Sequence, residues 1–177
     1  MAALGWAFSH ARFSLAPVVF GQQFDEAKRG LSAPGVKPGR LWRLGEEAAY
    51  AAALLADMGL IVTTIERYLT LALAAHERLQ SLGRGGIEII HGDGLDPPRV
   101  TGAIGGFDRI LVNGLMGEVP QALAARLNSN GRLVGAMALD GLSRMFILTR
   151  KPDGALAHEL GGPVKLPPIA PGVARAM

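Results

Sequence analysis

The chain has 177 residues, of which 49% are hydrophobic, so it can bury one sizeable core but is short for two ordinary domains. It has no cysteine, which excludes disulfides, thiolate catalysis and Cys-based metal or iron–sulfur sites, and its four histidines (His10, His76, His91, His158) include no i, i+4 pair that would suggest zinc. A net charge of +3 with dispersed basic residues, together with 6% aromatics, argues against nucleic-acid binding.

The first 38 residues read as an apolar arm and linker. MAALGWAFSHARFSLAPVVFG is broken by His10, Arg12 and Pro17. It lacks the basic-then-apolar order of a signal peptide and the unbroken apolar length of a transmembrane helix. Two roles stay open: packing on its own domain, or docking on a protein partner or membrane-associated complex through Trp6, Phe8, Phe13 and Phe20. Ser32-Ala33-Pro34-Gly35-Val36-Lys37-Pro38-Gly39 then forms a turn-rich joint.

From residue 39 onward strands and helices alternate. Leu41–Leu44 reads as a strand. Glu46 to Met58 reads as a helix with acids in its first turn and Gly59 as its stop. LIVTTI, residues 60–65, is a β-branched strand, and Tyr68 to Leu82 is a helix closed by Gly83. Ile87–Ile90 is a third strand, FDRILV (107–112) a fourth. Val119–Leu127 is a helix, stopped by Asn128-Ser129-Asn130-Gly131, and Arg132–Met137 is a fifth strand. Met145–Thr149 and Leu156–Leu160 read as a late hairpin around Lys151-Pro152-Asp153-Gly154. The pattern predicts an α/β, Rossmann-like, doubly wound and mostly parallel sheet with a C-terminal antiparallel hairpin, over residues 39–177.

In such sheets ligands bind outside the carboxyl ends of the strands, so the residues following each strand are the candidates. Glu66 ends the second strand about twenty residues after Gly45, the place of a ribose-hydroxyl ligand in dinucleotide and adenosyl folds. A carboxylate suits that place because it accepts two hydroxyl hydrogen bonds at once. The bland alternative is a solvated acid beside Arg67. Asp93, in His91-Gly92-Asp93-Gly94, can accept from an adenine amino group, or Gly-Asp-Gly is simply a turn. Asn113-Gly114 faces an acceptor or just ends the fourth strand, and His91 reads as a strand-end residue rather than a base.

Six segments in order resemble protein-L-isoaspartate O-methyltransferases: residues 50–56 (YAAALLA), 62–67 (VTTIER), 89–94 (IIHGDG), 107–112 (FDRILV), 119–123 (VPQAL) and 130–134 (NGRLV). The closing LPPIAPG, residues 166–172, is similar to the tail of some bacterial members. The resemblance implies a class I methyltransferase fold that uses S-adenosylmethionine. It also implies that Glu66 is the ribose-binding acid, Asp93 with Gly94 the adenine side, Gly45 the first glycine of the methionine-side loop and Tyr50 its closing aromatic.

The loop then departs from the family pattern of acid-x-Gly-x-Gly-x-Gly and an aromatic. Arg43 stands in the acid's place, Glu47 in that of the second glycine and Ala49 in that of the third. Glycine there lets the backbone turn tightly and approach the ligand without a Cβ in the way. Glu47 adds bulk and a charge that faces the ligand's own carboxylate. Each such change costs about 1–3 kcal/mol, ten- to a hundredfold in affinity. The family's Gly-Gln-Thr-Ile-Ser-x-Pro segment is altered too, reading Gly21-Gln22-Gln23-Phe24-Asp25-Glu26-Ala27. The sequence alone therefore favours a retained fold with degenerate chemistry, serving as a cytoplasmic accessory subunit or binding module, peripheral to a membrane if its partner is. The alternative is an active S-adenosylmethionine-dependent protein-repair enzyme.

Overall fold

A computed structural model describes residues 40–44, 48–57, 59–83, 87–96 and 106–176, with residues 40–44 and Ala48 defined by backbone alone. The apolar arm and the loop residues Gly45, Glu46 and Glu47 lie outside the described residues. The elements in chain order are β1 (Arg40–Leu44), α1 (Ala48–Asp57), β2 (Ile61–Glu66), α2 (Leu69–Ser81), β3 (Glu88–His91), β4 (Phe107–Met116), α3 (Gln121–Ala125), β5 (Leu127–Leu139), β6 (Leu142–Arg150) and β7 (Leu156–Pro163). Among the described residues the strands form one sheet in the order β3-β2-β1-β4-β5-β6-β7. β1 to β5 run parallel to one another. β6 and β7 complete the sheet antiparallel. The expected Rossmann-like sheet with a terminal antiparallel hairpin is thus the observed one.

Side chains of a strand alternate between faces, and the register shows which residues share a face. Ile65, Ile110, Val112, Leu133, Phe146 and Leu148 belong to one buried cluster, closed by Leu123 and Ala124 of α3. Their in-between neighbours Leu111, Val134 and Ile147 pack together on the opposite face. Val62 shares that second face through β1, since Leu41 pairs with both Val62 and Arg109. There Val62 packs with Ala52 and Leu55 of α1 and Leu79 of α2. Helices therefore cover both faces, which explains why β2 and the middle of β4 are buried on successive residues rather than on alternate ones. Arg109 and Arg132 are register partners on the second face. Burial, then the neighbouring Arg132, lower the Arg109 guanidinium from its ordinary range, and Asp108 opposes them.

Both helix stops follow the expected chemistry. Gly59 has φ 84° and its N–H donates to Ala56 O at 2.9 Å; Gly83 has φ 69° and donates to Gln80 O at 2.9 Å. The turn before β7 also forms, with Gly154 at φ 85° and a bond from Lys151 N to Ala155 O at 2.8 Å.

Three boundaries differ from the sequence expectation. The fourth strand runs past Val112 to Met116, so Asn113-Gly114 lies within it rather than after it. The helix expected over Val119–Leu127 is a single turn, Gln121–Ala125, in which Ala124 O accepts from Arg150 Nη2 at 2.8 Å. The stop signal Asn128–Gly131 is absorbed into β5 as an irregularity between the pairs Phe107↔Leu127 and Arg109↔Arg132. Asn130 takes φ 61°, and Asn128 clamps the bulge by accepting from Gly106 N and donating to Asp108 Oδ1, each at 2.9 Å. A further hairpin joins β5 to β6 through Asp140-Gly141, with φ 49° and 76°. An Asp-Gly pair between β-prone runs is a strong hairpin signal and marks this turn in the sequence.

Candidate functional site

The sheet order places the ends of β2 and β3 side by side, because Glu66 pairs with His91. Glu66 is not a solvated acid. It is 2% exposed, and its Oε1 accepts the Tyr68 amide at 2.9 Å. Its carbonyl accepts Gly92 N at 3.1 Å, which ties the start of the Gly92-Asp93-Gly94 turn to the end of β2. Asp93 stands on that turn with both carboxylate oxygens engaged. Oδ1 accepts Leu95 N at 2.9 Å, and Oδ2 accepts Gly172 N at 2.6 Å. The turn reading and the ligand-side placement of Asp93 are therefore compatible: one oxygen builds the turn, the other reaches across to the C-terminal segment. Gly94 is partly buried beside it.

The C-terminal segment is the part of the site that the sequence pattern did not reveal. It attaches first to the end of β4, where Leu115 N donates to Pro167 O at 2.8 Å and Ile169 N donates to Leu115 O at 3.0 Å. Gly114 permits this approach, since a Cβ there would lie 3.0 Å from Ile169 Cβ. The segment attaches again just beyond β2. Ala174 N donates to Arg67 O at 2.8 Å, and Leu69 N and Thr70 N donate to Ala174 O and Arg175 O at 3.0 and 3.1 Å. Arg67 grips it from the side, with Nε to Gly172 O at 3.3 Å and Nη2 to Pro171 O at 3.4 Å, while its guanidinium lies 4.9 Å from the Tyr68 ring centre. His91 donates from Nε2 toward Arg67 O (3.1 Å) and Ala174 O (3.2 Å), so it acts as the expected strand-end residue. Arg67 and the glycine at 172 were the signals that could have located this contact.

The remaining candidates divide. Tyr50 sits on α1 and is 52% exposed. Ala49 is partly buried and packs against the cluster of Ala52, Leu55 and Val62, so the methyl that replaces a glycine is accommodated within the helix layer. Arg43 pairs through its backbone with Thr64 and Leu111 in the middle of the sheet. Gly45 and Glu47 lie outside the described residues. A separate groove of about 540 Å³, lined by Met137, Leu142, Arg144, Phe146, His158 and Leu160, belongs to the β5–β7 side and includes neither acid.

A parallel sheet in the order 3-2-1-4-5, helices on both faces, and acids at the carboxyl ends of β2 and β3 define a class I methyltransferase fold. Residues 40–170 match the model of the protein-L-isoaspartate(D-aspartate) O-methyltransferase family, and the chain belongs to that family. It is 37% identical over 139 residues to the protein-L-isoaspartate O-methyltransferase of Nitrobacter winogradskyi, an alignment covering 78% of this chain and 62% of the relative. It is 36% identical over 148 residues to that of Methylorubrum populi, covering 82% and 68%. The chain thus spans a little under two thirds of the length of several of the curated relatives it matches. Among solved structures, a Plasmodium falciparum chain assigned to the same enzyme, in complex with S-adenosyl-L-homocysteine, superposes with a TM-score of 0.74 over 93% of this chain and 79% of that one. A precorrin-6y C5,15-methyltransferase from Geobacter metallireducens superposes at 0.54 over 88% and 90%. At 20% and 13% identity these two show the shared fold alone.

Proposed function

We propose that this chain is an S-adenosylmethionine-dependent methyltransferase acting on the free α-carboxylate of isoaspartyl residues in proteins, working in the cytoplasm. The observation that carries this reading is the buried Glu66 at the end of β2, beside Asp93 at the end of β3. Two carboxylates at those places suit a ligand that offers ribose hydroxyls on one side and an adenine amino group on the other. The residues fit the cofactor chemically. Glu66 would hold the ribose, Asp93 and Gly94 the adenine side, and Gly45 and Tyr50 the methionine side.

When bound, the cofactor supplies an electrophilic methyl group on a sulfonium. The protein has little acid–base work to do, because an isoaspartyl carboxylate is already an ionised nucleophile at neutral pH. Its contribution is to hold two partners in line and to exclude water from them. Glu66 is suited to this because its oxygen is already oriented by the Tyr68 amide, so little order has to be imposed on binding. Gly114, near the end of β4, is the point where the C-terminal segment comes up against the strand at the carboxyl edge of the sheet.

A second reading is supported by Arg43 and Glu47. They reverse a charge and fill a glycine in the methionine-side loop, which weakens the cofactor's hold. A chain that has lost the cofactor would serve as an accessory subunit, docked on a protein partner or a membrane-associated complex through the arm of residues 1–38. Calorimetry with S-adenosylhomocysteine separates the two readings. Micromolar binding, with methyl-ester formation on an isoaspartyl peptide and none on its aspartyl counterpart, supports the enzyme. Absence of binding at millimolar ligand, with the chain folded, leaves the accessory role.

A further inference from the structure

The C-terminal segment is anchored at two places that lie on either side of β1 in the sheet. Its bridge to Leu115 is on β4, and its bridge to Tyr68 follows β2. β1 ends at Leu44, level with Ile65 of β2 and Val112 of β4. Leu115 lies beyond that level and already pairs with Ala136 of β5 on its other side. Pro167–Ile169 therefore take the lane that β1 vacates, and residues 170–174 carry the chain on to the ends of β2 and β3. This is a strap across the carboxyl edge of the sheet, where an adenosyl ligand must lie.

We propose that the strap of residues 170–175 competes with the nucleoside half of the cofactor for the Asp93 carboxylate, so that cofactor binding requires its release. The proposal rests on the methyltransferase reading above. The competing atoms are specific. Asp93 Oδ2 is taken by Gly172 N at 2.6 Å, and Oδ1 by its own turn at Leu95 N. Each oxygen keeps a second lone pair, so the competition is one of space: the Gly172 backbone, 2.6 Å from Oδ2, covers the approach an exocyclic amino group needs, and the strap bond is the one that can open without unmaking the turn. The Arg67 and His91 side chains hold the strap by carbonyl contacts at 3.2–3.4 Å at exposed positions, and three backbone bonds of 2.8–3.1 Å pin Ala174 and Arg175. Gly172 has φ 77°, and the residues around it are mostly exposed, so few buried apolar contacts oppose opening. The strap thus places a cost on loading the cofactor, and in the loaded state it is free of Asp93.

Gly172→Pro tests this in the full chain. Proline has no N–H to give Asp93 and its ring cannot adopt a φ of 77°. The variant is expected to bind S-adenosylhomocysteine at least fivefold more tightly than the unaltered chain, or to bind where the unaltered chain does not. A second measurement uses the unaltered chain: saturating S-adenosylhomocysteine is expected to speed hydrogen exchange at the Gly172 and Ala174 amides. Equal or weaker binding by a folded variant, or exchange at those amides that is unchanged or slowed by ligand, overturns the strap while leaving the methyltransferase reading intact. If neither chain binds at millimolar ligand, the methyltransferase reading fails and the strap's competition falls with it. If the variant does not fold, the exchange measurement decides alone.

Discussion

Glu66 shows what a single side chain contributes here. A carboxylate that is 2% exposed survives only where hydrogen bonds replace its water, and the Tyr68 amide supplies one of them. A pair of ribose hydroxyls would add charge-assisted bonds, each worth about 1.5–3 kcal/mol. Glu66→Ala should therefore weaken S-adenosylhomocysteine binding by about ten- to a hundredfold in calorimetry. Glu66→Gln keeps the shape and should fall between the two, with circular dichroism confirming that both variants fold. Glu47 bears on the same ligand with the opposite sign. Restoring the smaller residue, Glu47→Gly, removes a Cβ and a negative charge from the methionine-side loop and should tighten binding about tenfold or more. A Glu47→Gly chain that binds no better than the unaltered one would show that the loop has rebuilt around the acid. Ala49 needs no such reversal, since its methyl already packs on the helix cluster.

At the scale of elements, residue types with two uses account for most of the disagreement between sequence and structure. The Gly and Asn of residues 128–131 signal a turn equally well at a loop or inside a strand, and β5 uses them as a bulge clamped by Asn128. Gly131 is confined there by backbone: an added Cβ would lie 2.7 Å from Asn128 O and 3.0 Å from both Asn128 N and Phe107 O. Backbone atoms cannot give way as a flexible side chain can, so Gly131→Ala should destabilise the fold by about 2–4 kcal/mol. In a chain of this size that lowers the melting temperature by about 5–10 °C in a thermal scan. β4 outran its expected end because its last residues are stabilised by the C-terminal segment pairing at Leu115, a contact made some fifty residues later in the chain and invisible to any local window. The strands and helices with strong apolar patterns, such as Ile61–Glu66 and Leu69–Ser81, lay within a residue or two of their expected limits. The acids at the strand ends were legible for the same reason, since a strand end is itself a local signal. The strap was not, because Gly172 in PGVAR, residues 171–175, marks a turn and Arg67 a side-chain donor, but neither states locally that the two will meet.

At the scale of the whole molecule, sheet order and ligand binding meet at one edge. β1 lies between β2 and β4, and both the candidate cofactor acids and the strap gather around its carboxyl end. A ligand seated there touches the ends of β2 and β3 and the lane above β1 together, so its binding energy acts on the folded state as a whole. Linkage then fixes the size of the effect: a ligand present at one hundred times its dissociation constant adds about 2.7 kcal/mol to stability. For a chain of this size that corresponds to a rise in melting temperature of about 5–10 °C. S-adenosylhomocysteine should produce that shift with the unaltered chain, and Glu66→Ala should remove about half of it or more at the same ligand concentration. Adenine alone should give a smaller shift, because it engages the Asp93 side without the Glu66 side. A melting temperature that does not move at millimolar S-adenosylhomocysteine, in a chain that unfolds cooperatively, would mean that Arg43 and Glu47 have removed the cofactor from this edge and left the sheet as a scaffold.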